Sequence, residues 1–138
     1  MNRQDAKNAK EEPDEELDTL AHRVIGAAIE VHRHLGPGFL ESVYENAVAI
    51  EFRLAGVFFE EQQPVSVHYK GEAVGIAKVD FVVERTLLVE LKAVDKILPI
   101  HKAQVISYLK ATGLPLALLI NFNERALRDG IHRIVLTH

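Results

Sequence analysis

The 138-residue chain contains no cysteine. That absence excludes a disulfide scaffold, thiolate metal sites and a cysteine nucleophile. Long apolar runs are also missing, since no stretch reaches the roughly eighteen apolar residues that a membrane span needs. The first residues are polar and charged rather than a secretory leader. A cytoplasmic location with no membrane partner is therefore the expectation. No glycine-rich phosphate loop is present, because Gly36-Pro37-Gly38 follows a helical pattern and not a strand. No serine occupies a nucleophile-elbow pattern either.

An excess of positive charge is missing too. The net charge is -4. Residues 1–18 hold seven acids and three bases, which accounts for all of it, and the other 120 residues hold thirteen of each. A neutral body offers no global attraction to nucleic acid, so such a partner would be held by a local patch or through a bound cation.

What is there suits one domain. The hydrophobic fraction of 48% is ordinary for a soluble core. Residues 1–15 are acidic, without apolar period, and are expected to be a disordered tail ahead of a single domain over residues 16–138. Leu17, Leu20, Ala21, Val24, Ala28, Val31 and Leu35 recur at three- and four-residue steps and predict an amphipathic helix. Gly36-Pro37-Gly38 stops it. A second helix is predicted over residues 39–55, with Leu40, Val43, Ala47, Val48 and Leu54 as its buried stripe.

The texture then turns to β. Short strands are predicted over residues 57–62 and 65–69, interrupted by Pro64, with a turn at Lys70-Gly71-Glu72. Two further strands are predicted over residues 79–83 and 87–91. A third helix is predicted over residues 99–112, with Pro99 in its first turn and Gly113 just past its end. The apolar run over residues 114–120 has the look of a strand buried on both faces. A last strand is predicted over residues 132–136. Strand, helix and strand over residues 87–120 predict a right-handed crossover. The expected fold is an α/β domain with a central mixed sheet flanked by helices.

Three charges interrupt the apolar strand pair over residues 78–92. Glu90 and Lys92 are two apart and leave one strand face, while Val89 and Leu91 leave the other. Asp80 lies on the partner strand. A two-residue loop at Arg85-Thr86 would pair Asp80 with Leu91, on the wrong face. A three-residue loop at Arg85-Thr86-Leu87 would pair it with Lys92, and a bulge near Asp80 would also bring the charges together. Two close carboxylates repel, and a divalent cation relieves that repulsion. Mg²⁺ takes hard oxygen ligands, and it activates water and phosphoryl groups. An adjacent lysine ammonium can stabilise developing charge. The competing reading is a solvated ion pair that contributes little.

Glu41 and Tyr44 share one side of the second helix. Glu41 is either a further metal or water ligand or an anion placed at the helix dipole. Tyr44 is more simply a core aromatic with a bonded hydroxyl. Gln104 and Tyr108 are four apart on one face of the third helix, suited to orienting a phosphate or water, or else a partly exposed polar pair. The seven histidines show no ligand spacing.

Leu35-Gly36-Pro37-Gly38-Phe39-Leu40-Glu41-Ser42-Val43-Tyr44-Glu45 resembles the signature of the GxxExxY protein family. Val89-Glu90-Leu91-Lys92-Ala93-Val94, Ala103-Gln104 with Tyr108, and Leu119-Ile120-Asn121-Phe122-Asn123 resemble it as well, over residues of about 17 to 136. That family is placed in the PD-(D/E)xK nuclease-like superfamily. The resemblance implies a restriction-endonuclease-like fold, with Asp80 and Glu90 as the two acids, Lys92 as the lysine and Glu41 as the helix acid. It matches Gln104 and Tyr108 to the Gln and Tyr of the RecB-like branch.

The function expected is Mg²⁺- or Mn²⁺-dependent hydrolysis of DNA or RNA. Asp80, Glu90 and Glu41 would hold metal, helped by the Leu91 carbonyl. Lys92 would serve the transition state. Gln104, Tyr108, Lys78, Lys96, Lys102 and Lys110 would meet substrate. The alternative is a non-catalytic module that binds nucleic acid or protein and keeps the fold. A homodimer or a protein partner is compatible with either. A third reading, a plain domain with surface charges, predicts that Asp80 and Glu90 point apart.

Overall fold

The computed structural model describes residues 14–136. Of the tail expected over residues 1–15, only Asp14 and Glu15 fall within the described residues, and both belong to a helix start. The Asp14 carboxylate accepts from the Leu17 backbone N–H at 2.7 Å and caps α1 (Glu15–Leu35). Acids in the first turn and Arg33 and His34 in the last suit the helix dipole. The predicted stripe from Leu17 to Val31 is buried.

The second helix, α2 (Glu41–Leu54), corrects the predicted stripe. Its buried residues are Tyr44, Val48, Ala49 and Phe52. Leu40 and Leu54 are 77% and 76% exposed, Val43 and Ile50 are exposed as well, and Ala47 is half-buried. The helix carries two apolar stripes, and the aromatic one faces inward because it has more area to bury. Phe52 meets Phe59 and Phe81 with ring centroids 5.4 and 5.2 Å apart. Tyr44 stacks on Phe122 at 4.6 Å, and its hydroxyl donates to the Gly36 carbonyl at 2.6 Å.

The chain then forms β1 (Phe59–Tyr69), β2 (Glu72–Val83), β3 (Leu87–Lys92), α3 (Pro99–Thr112), β4 (Leu116–Asn121), a 3₁₀ turn (Leu127–Gly130) and β5 (Ile131–Val135). The five strands lie in the order β1-β2-β3-β4-β5. Among the described strands only β3 and β4 pair parallel, as the strand–helix–strand pattern requires. β1 runs unbroken through Pro64, where two segments were expected. Proline is tolerated there because β1 is an edge strand. β2 starts at Glu72, seven residues before the expected Val79. Residues 72–76 are exposed and carry no core pattern, and pairing with β1 is what makes them a strand.

Two apolar layers cover the sheet. Phe81, Val83, Val89, Leu91, Leu118 and Ile120 face α1 and α2. Val79, Val82, Leu88, Ala117 and Leu119 face Val105 and Leu109 of α3. The last strand of the crossover, β4, is buried at every position. Gly130 lies so close to the Asn121 carbonyl that a Cβ there would collide with it.

Candidate active site

The hairpin between β2 and β3 settles the register. Val83 pairs with Leu87, Val82 with Leu88 and Phe81 with Val89. The connection is therefore Glu84-Arg85-Thr86, which is neither of the two loops considered from sequence. This register sets Asp80 level with Glu90, not with Leu91 or Lys92. The alternation of β2 also slips at Asp80. Val79 and Phe81, two apart, belong to opposite core layers.

Where the backbone ladder of β2 and β3 ends, side chains replace it. The Asp80 N–H donates to Glu90 Oε1 at 2.7 Å, and the Leu91 N–H donates to Asp80 Oδ2 at 2.8 Å. The two carboxylates thus cross-lace the strands and lie together at one end of the sheet. They do not point apart as surface charges would. Asp80 is 8% exposed and Glu90 5%.

Burial sets the electrostatics. It pushes the Glu90 carboxyl up to about 8, and the Asp80 charge adds to the rise. Asp80 is raised for the same first reason, opposed by the bond from the Leu91 N–H. Glu41, in the first turn of α2, is raised by burial and then by Asp80, with Lys92 opposing. Glu41 therefore lies within electrostatic reach of the acids and the lysine.

The α3 residues arrive from the other side. Lys92 Nζ donates to Gln104 Oε1 at 3.4 Å. The Tyr108 hydroxyl is raised by burial and then by Glu90 and Asp80. Hydrogen bonds thus tie Asp80 and Glu90 to each other's strands and Lys92 to Gln104, and Glu41 and Tyr108 lie within electrostatic reach of the acids. The structure does not bring the substrate lysines to the carboxylates. Lys78, Lys96, Lys102 and Lys110 are exposed, and among the described residues none forms an ion pair with them. Lys102 lies near His132, whose pKa burial lowers, with Lys102 lowering it further.

Two residues join the site that were not singled out from sequence. Gln62 of β1 donates through its amide to Glu45 Oε1 at 2.8 Å and to Asp80 Oδ1 at 3.2 Å. It does so with a left-handed φ of 51°, uncommon for a side-chain-bearing residue inside a strand. Glu45 is raised by burial, then by a hydrogen bond with Glu61. Glu45 follows Glu41 by four on α2, a spacing that was available as a signal. Gln62 reaches Asp80 only through the β1–β2 register, which nothing local announces.

Asp80 and Glu90 supply hard oxygen donors, and their raised pKa values mark a site where burial disfavours their negative charge and Lys92 offsets that only in part. That chemistry suits a divalent cation. Among the described residues, no three histidine or carboxylate side chains are grouped closely enough to hold an ion as they stand. Both acids already spend one oxygen on a backbone amide.

Residues 18–134 match the profile of the PD-(D/E)XK nuclease superfamily. The chain belongs to that superfamily. Among curated proteins, none matches the sequence. Of solved structures, an alkaline exonuclease from Laribacter hongkongensis superposes with a TM-score of 0.50 and 18% identity, over 70% of this chain and 56% of that one. The structure of SSO0001 superposes with a TM-score of 0.44 and 21% identity, over 70% of this chain and 52% of that one. The chain spans about half the length of these two. At this identity the exonuclease likeness shows the fold, a mixed five-stranded sheet flanked by three helices. Among the described residues no helix is long and apolar enough to cross a membrane.

Proposed function

We propose that the protein is a nuclease that hydrolyses phosphodiester bonds in DNA or RNA with the help of Mg²⁺ or Mn²⁺. The observation that carries this reading is the pair of buried carboxylates, Asp80 and Glu90, laced together beside Lys92. Ionising both of these adjoining buried acids costs stability unless something positive joins them. Superfamily membership supports the same reading, and so does the resemblance to the GxxExxY signature.

Asp80 and Glu90 would hold the cation, with Glu41 and the Leu91 carbonyl as further oxygen donors. When bound, the cation supplies polarisation of the phosphoryl oxygen and of a water. Lys92 stabilises negative charge growing on the phosphate as water adds and the P–O bond breaks. Gln104 holds the Lys92 ammonium in place, and Tyr108, within electrostatic reach of Glu90 and Asp80, would meet the substrate. Lys78, Lys96 and Lys102 serve as outlying phosphate contacts.

The test is cleavage of labelled oligonucleotides. Asp80→Ala and Lys92→Ala are expected to lower Mg²⁺-dependent cleavage by about 100-fold or more, with unchanged far-UV circular dichroism. Equal cleavage by the parent protein and both variants would refute the assignment.

A second reading has its own support. The neutral charge of residues 19–138 and, among the described residues, the lack of a ready-arranged ion cage fit a module that binds without cutting. Calorimetry separates the two. Mg²⁺ or Mn²⁺ binding that disappears in Glu90→Ala belongs to the nuclease, and no binding by the parent protein belongs to the module.

A further inference from the structure

The charge of the chain is uneven in a way that the net figure hides. From Lys96 to Asn123 there is no acid, while Lys96, Lys102 and Lys110 all lie in that segment. It contains α3, the helix whose Gln104 and Tyr108 border the carboxylates. Gln104 and Tyr108 lie on one side of α3, and Ile100 lies on that side one turn before Gln104. Ile100 is 68% exposed, and Leu98, at the helix N-cap position, is 44% exposed. Two aliphatic side chains thus stand in water on and just before the side of α3 that carries Gln104 and Tyr108, within a segment that holds lysines and no acid.

Positive charge complements phosphates, and it does so for any nucleic acid. The aliphatic pair is more selective. The apolar part of a nucleic acid is the base face, which stacking hides within a duplex. Only an unpaired base, or the last pair at an open end, can cover Leu98 and Ile100. A continuous duplex would leave them wet and press its phosphates on them.

Building on the nuclease reading, we propose that Leu98 and Ile100 form a base-contacting rim and that the substrate is a single strand or a frayed end. Lys96 and Lys102 hold the phosphates on either side of that base. Asp95, next to Lys96, is the nearest acid in sequence and is also exposed.

The experiment measures fluorescence anisotropy in EDTA, where metal-dependent cutting does not proceed. The probes are a short single strand, in deoxy and ribo forms, and a duplex of the same sequence closed at both ends by non-nucleotide ethylene-glycol linkers, which carry no unpaired base. The proteins are the parent, Leu98→Ser/Ile100→Ser and Lys96→Ala/Lys102→Ala. Serine suits an N-cap, and thermal melts confirm that the variants fold.

The parent should bind the single strand about tenfold more tightly than the closed duplex, and the serine pair should remove most of that preference. The lysine pair should weaken both probes and flatten the salt dependence. Equal binding of the two probes by the parent, an unchanged preference in the serine pair, or no binding at all overturns the proposal. The deoxy and ribo arms separate DNA from RNA. Cleavage of the same probes in Mg²⁺ is read in parallel. Cutting with no strand preference sinks the rim and leaves the nuclease. Rim-dependent binding without cutting sinks the nuclease and leaves the rim.

Discussion

At the scale of single residues, Glu90 makes the clearest pH prediction. Its carboxyl stands at 4.5 in an unfolded chain and about 8 in the folded one. Between those values the folded protein holds a proton that the unfolded chain has lost. Stability contributed through Glu90 is thus present at low pH and declines as pH rises through that window. In EDTA the melting temperature should fall between about pH 5 and pH 8.5, and Glu90→Gln should remove much of that fall. An identical slope in the variant would assign the pH dependence to other groups.

Glu84 and Arg85 are a second residue-scale case. Both sit at left-handed φ, 50° and 61°, in the β2–β3 connection. Asn is the residue that tolerates this backbone best after Gly. Glu84→Asn should therefore stabilise the fold by about 1 kcal/mol, seen as a rise in melting temperature. Arg85 is a poorer place to relieve strain, because its guanidinium lies 5.3 Å from the centroid of the Phe58 ring and loss of that contact would offset the gain.

At the scale of elements, α2 decides how its stripes are read. Phe52→Ala should cost about 3–5 kcal/mol, since the ring is enclosed by Phe59 and Phe81. Leu54→Ser should change stability by less than about 0.5 kcal/mol, because Leu54 is 76% exposed. Denaturant titration of the two variants distinguishes the observed packing from the predicted one, in which Leu54 was core and Phe52 was not. Periodicity alone could not choose, because both stripes have helical spacing. The choice depends on which side chains the sheet offers as partners.

Other elements were legible because their signals are local. Pro99 and Gly113 bracket α3 at both ends as predicted. The apolar run ending at Ile120 is the fully buried strand β4. The early half of β2 was not legible. Its residues are exposed, and its conformation comes from pairing with β1. The same holds for Gln62, whose contact with Asp80 depends on that pairing.

At the scale of the whole molecule, the proposed metal site would make stability depend on cations. A divalent ion that binds only the folded state stabilises it by about 2.7 kcal/mol at one hundred times its dissociation constant. Mg²⁺ or Mn²⁺ should therefore raise the melting temperature of the parent protein and not that of Asp80→Ala. Equal shifts in both would place the ion elsewhere.

The amino-acid sequence determined by itself which residues carry charge inside apolar runs, that Glu90 and Lys92 share a strand face, and where the helix punctuation falls. These are properties of neighbours a few residues apart, and backbone geometry propagates them directly. Tertiary structure decided that Asp80 stands level with Glu90. That outcome depends on a three-residue connection and on a slip in strand alternation, each set by long-range packing. It also decided that Glu41, Glu45 and Gln62 converge on Asp80, because only the assembled sheet and helices bring side chains so distant in the chain within reach of one another.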